Sequence, residues 1–180
     1  MSDIMTPCAA KLTPVERAGM ITLRGDLASA AMAEAVKKVT GAAVPAANRC
    51  SIDGDRGVAW MSPDELLVLT PYDAAIEAAS QIGAALKGVH HLAEVVSDAR
   101  AVFRIEGADA REVLGKLTPA DLSPEAFGPG DFRRSRLGQV AAAFWMVESG
   151  TIGVVCFRSV GDYLENLLAT SIAGGRVGFH

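Results

Sequence analysis

Apolar and polar positions alternate over Ala101–Glu106, with Phe103 and Ile105 on one side and Arg104 and Glu106 on the other, the period of a half-buried strand. Gly107 ends that run, after which Ala110, Val113, Leu114 and Leu117 recur at helical spacing. Asp109, with Glu112 three residues on, has the spacing of a capping box, and Thr118-Pro119 closes the helix. Pro119, Pro124, Gly128, Pro129 and Gly130 then punctuate an ordered connector, which Leu122 and Phe127 anchor. Phe132–Leu137 resumes as a strand loaded with arginine. Val140–Val147 and Thr151–Phe157 read as a hairpin, and a last helix opens at Ser159, which caps it, with Val160, Tyr163, Leu164, Leu167 and Leu168 as its stripe.

The first half of the chain has the same plan. Met20–Arg24 is a strand, Gly25-Asp26 breaks and caps, and Leu27, Ala31, Ala35 and Val39 follow at helical spacing up to Gly41. Ala42–Asp55 lacks periodicity and reads as a loop. Val58–Met61 and Leu66–Thr70 are strands joined through Ser62-Pro63-Asp64-Glu65; Asp73 starts a helix whose buried side carries Ala75, Ile76, Ala79, Ile82 and Leu86, and His90–Val96 returns as a strand. Trp60 and Trp145 each stand in the strand before a hairpin turn. The fold expected is α+β, two ferredoxin-like split β-α-β repeats. Residues 1–18 form an extended N-terminal arm, 19–97 the first half and 98–180 the second, both halves making one compact domain. Phe103, Ile105, Val113, Leu114, Leu117, Trp145, Val154, Leu164 and Leu167 are expected to be buried together as the core of the second repeat.

Composition narrows the function. With 50% hydrophobic and 21% charged residues over 180 positions, the chain buries a full core. A net charge of -4 gives no general attraction to nucleic acid. The longest wholly apolar run, Val140–Val147, is far short of the roughly 20 residues of a membrane helix, so neither membrane anchoring nor export is expected. Three widely spaced cysteines, Cys8, Cys50 and Cys156, fit reduced thiols in a cytoplasm, with Cys156 in the core.

Candidate chemistry is sparse. His90 and His91 are adjacent in a strand and point to opposite faces, without a third ligand at productive spacing. Asp53-Gly54-Asp55 resembles part of a calcium loop, but Trp60 stands where the bidentate glutamate belongs, so it reads as a turn. No glycine-rich phosphate loop follows a strand. His180 reads as a solvated tail. One cluster remains, Arg133, Arg134 and Arg136. The pleat puts Phe132, Arg134 and Arg136 on one face and Arg133, Ser135 and Leu137 on the other. Either these arginines meet a partner's carboxylates or a cofactor phosphate, or they form a solvated face paired with Glu106 or Glu125. The partner surface is expected at Phe127, Arg134 and Arg136.

Over SDARAVFRIEGADAREVLGKLTPADLSPEAFGPGDFRRSRLGQVAAAFW, together with VAWMSPDELLVLTP, the chain resembles the gamma subunits of heterotetrameric sarcosine oxidases. The resemblance spans roughly Met20–Ile172. It implies an accessory subunit without catalytic residues, cofactor-binding residues or metal of its own. Its partners would be large alpha and beta subunits, which oxidise sarcosine, hold FAD, FMN and NAD, and pass the one-carbon unit to tetrahydrofolate, and a small delta subunit. It also implies a fold like the folate-binding domain of the glycine-cleavage T-protein. In that protein an aspartate pair follows a glycine-rich stretch; the matching Gly138-Gln139-Val140-Ala141-Ala142 offers alanines. Folate chemistry is therefore not expected, while folate binding stays open. A stand-alone folate-binding or folate-dependent aminomethyltransferase-like protein is the alternative.

Overall fold

The computed structural model describes residues 7–178. In chain order its elements are β1 (Lys11–Val15), β2 (Ala18–Gly25), α1 (Ala30–Thr40), β3 (Cys50–Asp53), β4 (Arg56–Ser62), β5 (Glu65–Pro71), α2 (Ala75–Ala85) and β6 (His91–Val95). They continue as β7 (Arg100–Glu106), α3 (Ala110–Gly115), β8 (Phe132–Leu137), β9 (Val140–Glu148), β10 (Thr151–Phe157) and α4 (Gly161–Ala173). The architecture is α+β, with two five-stranded antiparallel sheets ordered β3-β4-β5-β2-β6 and β1-β7-β10-β9-β8. Among the described residues no helix is long and apolar enough to cross a membrane. The contacts divide the chain into two units, residues 17–98 in one and residues up to 16 together with 99 onward in the other.

In the 17–98 unit the split β-α-β order is complete, with β3 added at one edge. β3 falls inside the stretch read as a loop, because its four residues bury only Cys50 and Ile52 in part and leave too short a pattern to read. α1 starts later than the sequence implies. The Asp26 carboxylate accepts the Ala28 N–H at 3.0 Å, its carbonyl accepts the Ser29 hydroxyl at 2.8 Å, and Ser29 then caps by accepting the Met32 N–H. In α2, which follows a 3₁₀ turn at Tyr72–Ala74, Ala75, Ile82 and Leu86 are buried as expected, Ala79 packs partly against the same core, and Ala78 joins them. Ile76, expected inside, is 77% exposed, because six residues of regular helix turn it about 120° away from Ile82.

The second unit repeats the plan with one change of origin. β7, α3, β9, β10 and α4 match β2, α1, β4, β5 and α2, and β8 is the added edge strand. The place that β6 fills in the first sheet is taken here by β1, so part of the expected N-terminal arm is a strand. Leu12 lies opposite Ile105 and Pro14 opposite Phe103. Leu12 and Ala10 pack on the core, and Pro14 is tolerated because an edge strand leaves one side of its backbone unbonded. Met1–Thr6 and His180 lie outside the described residues. The core beneath the helices gathers Phe103, Ile105, Val113, Leu114, Val154 and Leu164, flanked by partly buried Leu117 and Leu167. Trp145 does not join them. Strand alternation gives Phe144 and Met146 to that side and turns Trp145 to the opposite face, where its indole stacks on Phe132 at 6.3 Å. There Gly153 makes room, since a Cβ at that position would sit 2.3 Å from the indole.

α3 is only six residues long, too short to persist by itself. Its polar side is held by the two ends of the chain. Asp109 does not cap it; its carboxylate accepts the Ala9 N–H at 2.7 Å and lies 3.3 Å from Arg176. Glu112, 1% exposed, accepts the N–H groups of Val177 and Gly178, the latter at 2.7 Å. Lys116 donates to the carbonyls of Ser171 and Gly175, and Ser171 donates to the Val113 carbonyl at 2.7 Å. The capping box is thus replaced by longer-range bonds, because backbone donors from both terminal segments reach these carboxylates.

Leu114 lies at the centre of this arrangement with no exposure. Leu114→Ala is expected to destabilise the chain by about 2–5 kcal/mol, read as a lower urea midpoint at unchanged slope.

Candidate interaction surface

The connector and the arginine strand are built around Phe127. The Asp131 carboxylate accepts the Gly128 N–H at 2.7 Å, and Phe127 and Ala126 donate to the Ser123 carbonyl at 2.9 and 3.0 Å, so the Pro- and Gly-rich segment folds on itself. This turns the Phe127 ring inward, edge-on to Phe144 with 5.6 Å between centroids. Two guanidiniums lie over it, Arg133 at 5.6 Å and Arg111 at 5.9 Å. Arg133 also donates to the carbonyls of Ala126 and Phe132 and lies 3.5 Å from Asp131; Arg111 donates to the Leu122 carbonyl at 2.7 Å. Burial lowers the pKa of Arg111, while Glu125 and Asp131 pull it back up.

Phe127 therefore corrects the expected partner surface. It has no exposure and belongs to the core, because the connector closes over it. The arginines divide as the pleat requires. Arg133 faces the connector, with Asp131 as its acidic neighbour, whereas Arg134 and Arg136 project from the other face, opposite Ala143 and Ala141, and are exposed.

The remaining candidates disperse. His90 and His91 line a cleft of about 510 Å³ in the 17–98 unit with Arg24, Asp26, Asp64 and Leu92, and the His91 ring nitrogen Nδ1 lies 2.8 Å from the Val89 carbonyl. In that cleft the Ser62 hydroxyl, and after it the Arg24 charge, hold the Asp64 carboxyl below its ordinary pKa against desolvation. Asp53-Gly54-Asp55 is the β3–β4 turn, with Gly54 at φ 59°. Among the described residues no three His, Cys, Asp or Glu side chains gather into a metal site. Burial pushes the Cys156 thiol up, the inert state of a core cysteine, while Arg158 and Arg100 pull it down. Ser159 does not cap α4: it sits within a 3₁₀ turn, Arg158–Val160, and the helix starts at Gly161 without a side-chain cap. Ala142 stands in β9 facing the core. The polar side of α3 escapes sequence reading altogether, because a helical wheel marks Asp109, Glu112 and Lys116 as a solvated face.

Residues 24–173 match the family model described as the sarcosine oxidase gamma subunit family. The chain belongs to that family. A sarcosine oxidase gamma subunit from Arthrobacter sp. is 34% identical over 88 residues, 49% of this chain and 42% of that one. The chain thus spans less than half the length of that curated relative. In backbone, this gamma-family chain is similar to a chain of the heterotetrameric sarcosine oxidase from Corynebacterium sp. U-96, solved with pyrrole 2-carboxylate, at TM-score 0.84 and 24% identity, covering 93% of this chain and 86% of that one. It is also similar in fold to the glycine cleavage system aminomethyltransferase T from Bartonella henselae, at TM-score 0.66 and 11% identity, over 91% of this chain and 46% of that one. The shared feature is the doubled split β-α-β arrangement.

Phe127→Ala is expected to lower stability by about 3–5 kcal/mol. Thermal unfolding of the variant checks it; an unchanged midpoint would return Phe127 to the list of partner contacts.

Proposed function

We propose that this chain is an accessory, non-catalytic subunit of a heterotetrameric sarcosine oxidase. Large alpha and beta subunits and a small delta subunit are its partners; the large subunits carry out the oxidative demethylation of sarcosine and hold FAD, FMN, NAD and tetrahydrofolate. The complex is cytoplasmic. The observation that carries the reading is the family match over residues 24–173, and the backbone likeness to a chain of such a complex supports it. Ala142, where a folate-activating carboxylate stands in the T-protein by family resemblance, favours this reading over a stand-alone aminomethyltransferase.

In this role the chain contributes surface, and we assign the contact with a large subunit to Arg134 and Arg136. Both are exposed on one face of β8, and a guanidinium binds carboxylates bidentately while losing hydration more easily than an ammonium.

Purification of the tagged chain from its own cells tests the reading: two large flavoprotein chains and one small chain are expected with it, and the chain alone is expected to be colourless and to produce no peroxide with sarcosine. A yellow, active chain by itself would overturn the accessory role. Replacing both Arg134 and Arg136 with Ala is expected to weaken assembly by about 2–5 kcal/mol, measured as co-purification at equal folded amounts. Assembly as tight as that of the parent would remove these residues from the interface.

A further inference from the structure

We propose that the outer edge of β8 accepts an extended, acidic segment of a larger partner chain as an added strand. β8 is the last strand of its sheet, and among the described residues no strand pairs with its far side. Its backbone direction follows from two independent features. The two-residue loop Gly138-Gln139 makes Leu137 and Val140 the hydrogen-bonded pair that closes the hairpin. At the other end the Asp131 carbonyl accepts the Met146 N–H at 3.1 Å. Arg133, Ser135 and Leu137 therefore direct their peptide groups to β9, as the Asp131 carbonyl does, and Phe132, Arg134 and Arg136 direct theirs outward. The Phe132 carbonyl accordingly accepts the Arg133 guanidinium at 2.9 Å.

The opposite edge of the same sheet is guarded differently. β1 carries Pro14, which lacks a donor. β8 has no proline, and its pairing with β9 runs without a bulge from Phe132 to Leu137. Arg134 and Arg136 project from one face of the sheet and set the charge of an incoming strand, whereas the Arg133 guanidinium occupies the outward Phe132 carbonyl, so the open ladder runs along Arg134 and Arg136. Main-chain bonds would give such a strand its affinity, and carboxylates beside Arg134 and Arg136 its register.

Charge also selects the occupant. The chain has a net charge of -4, so β8 is a basic strip on an acidic body, and the attraction to an acidic segment is local. A second copy of the chain pairing through β8 would bring arginine against arginine across the new ladder, which is unfavourable.

This inference rests on the subunit reading, and its test separates the two. Residue-resolved amide hydrogen exchange is compared between the chain alone and the purified complex. The amides of Arg134 and Arg136 are expected to exchange quickly in the chain alone and at least about tenfold more slowly in the complex, with Arg133 and Ser135 slow in both as references. A complex that forms with Arg134 and Arg136 exchanging as fast as before would overturn strand addition and leave the subunit reading standing. Slow exchange of both amides in a dimer of the chain alone would give the edge to a second copy and overturn the acidic-segment proposal. Recovery of no large chain would overturn both readings.

Discussion

A buried carboxylate on a six-residue helix holds the second unit together. Glu112 has almost no contact with water, and a buried carboxylate without donors would lose several kcal/mol of hydration. The backbone N–H groups of Val177 and Gly178 supply those donors. One turn away Asp109 takes the Ala9 N–H, and Lys116 closes on Ser171 and Gly175. α3 is thereby fixed by segments from both ends of the chain, and the apolar side it presents to the sheet, with Val113 and Leu114, stays in register with Phe103, Ile105 and Val154.

The apolar periodicities were the legible part of this fold. Phe103 and Ile105, the stripe through Val113 and Leu114, and the hairpins around Trp60 and Trp145 locate most strands and helices, because burial on one face imposes a period of two or 3.6 on the residues themselves. What the sequence conceals depends on neighbours remote in the chain. Lys11–Val15 has little pattern of its own and becomes a strand because β7 offers an open edge. Ile76 is apolar yet falls outside the arc of α2 that Ala75, Ala78 and Ile82 bury. Phe127 is as apolar as an interface anchor, and only the closure of the connector under two guanidiniums makes it core. In the candidate surface, the alternation of Arg133 against Arg134 and Arg136 was legible, while the absorption of Arg133 by Asp131 and the Ala126 carbonyl was not.

The arginines of β8 thus illustrate how one composition serves two ends. Arg133 fastens a loop to the strand that follows it, while Arg134 and Arg136 on the same strand face outward. The outward pair lies within residues 24–173, the stretch by which the chain belongs to the gamma-subunit family.

Because β1 lies beside β7, a strand translated before the 17–98 unit belongs to a sheet whose other strands follow that unit. The bond between Ala9 and Asp109 joins residues 100 positions apart. The 17–98 unit can complete its own sheet during synthesis, whereas β1 must wait for β7, which is translated only after that unit. A close approach guards that late union: Gly107, at φ 137°, lies where any Cβ would come within 2.2 Å of the Ala9 carbonyl. Damage around Lys11–Val15 would therefore be felt in the sheet built by residues beyond 99, and the emerging chain must keep β1 free until β7 has left the ribosome.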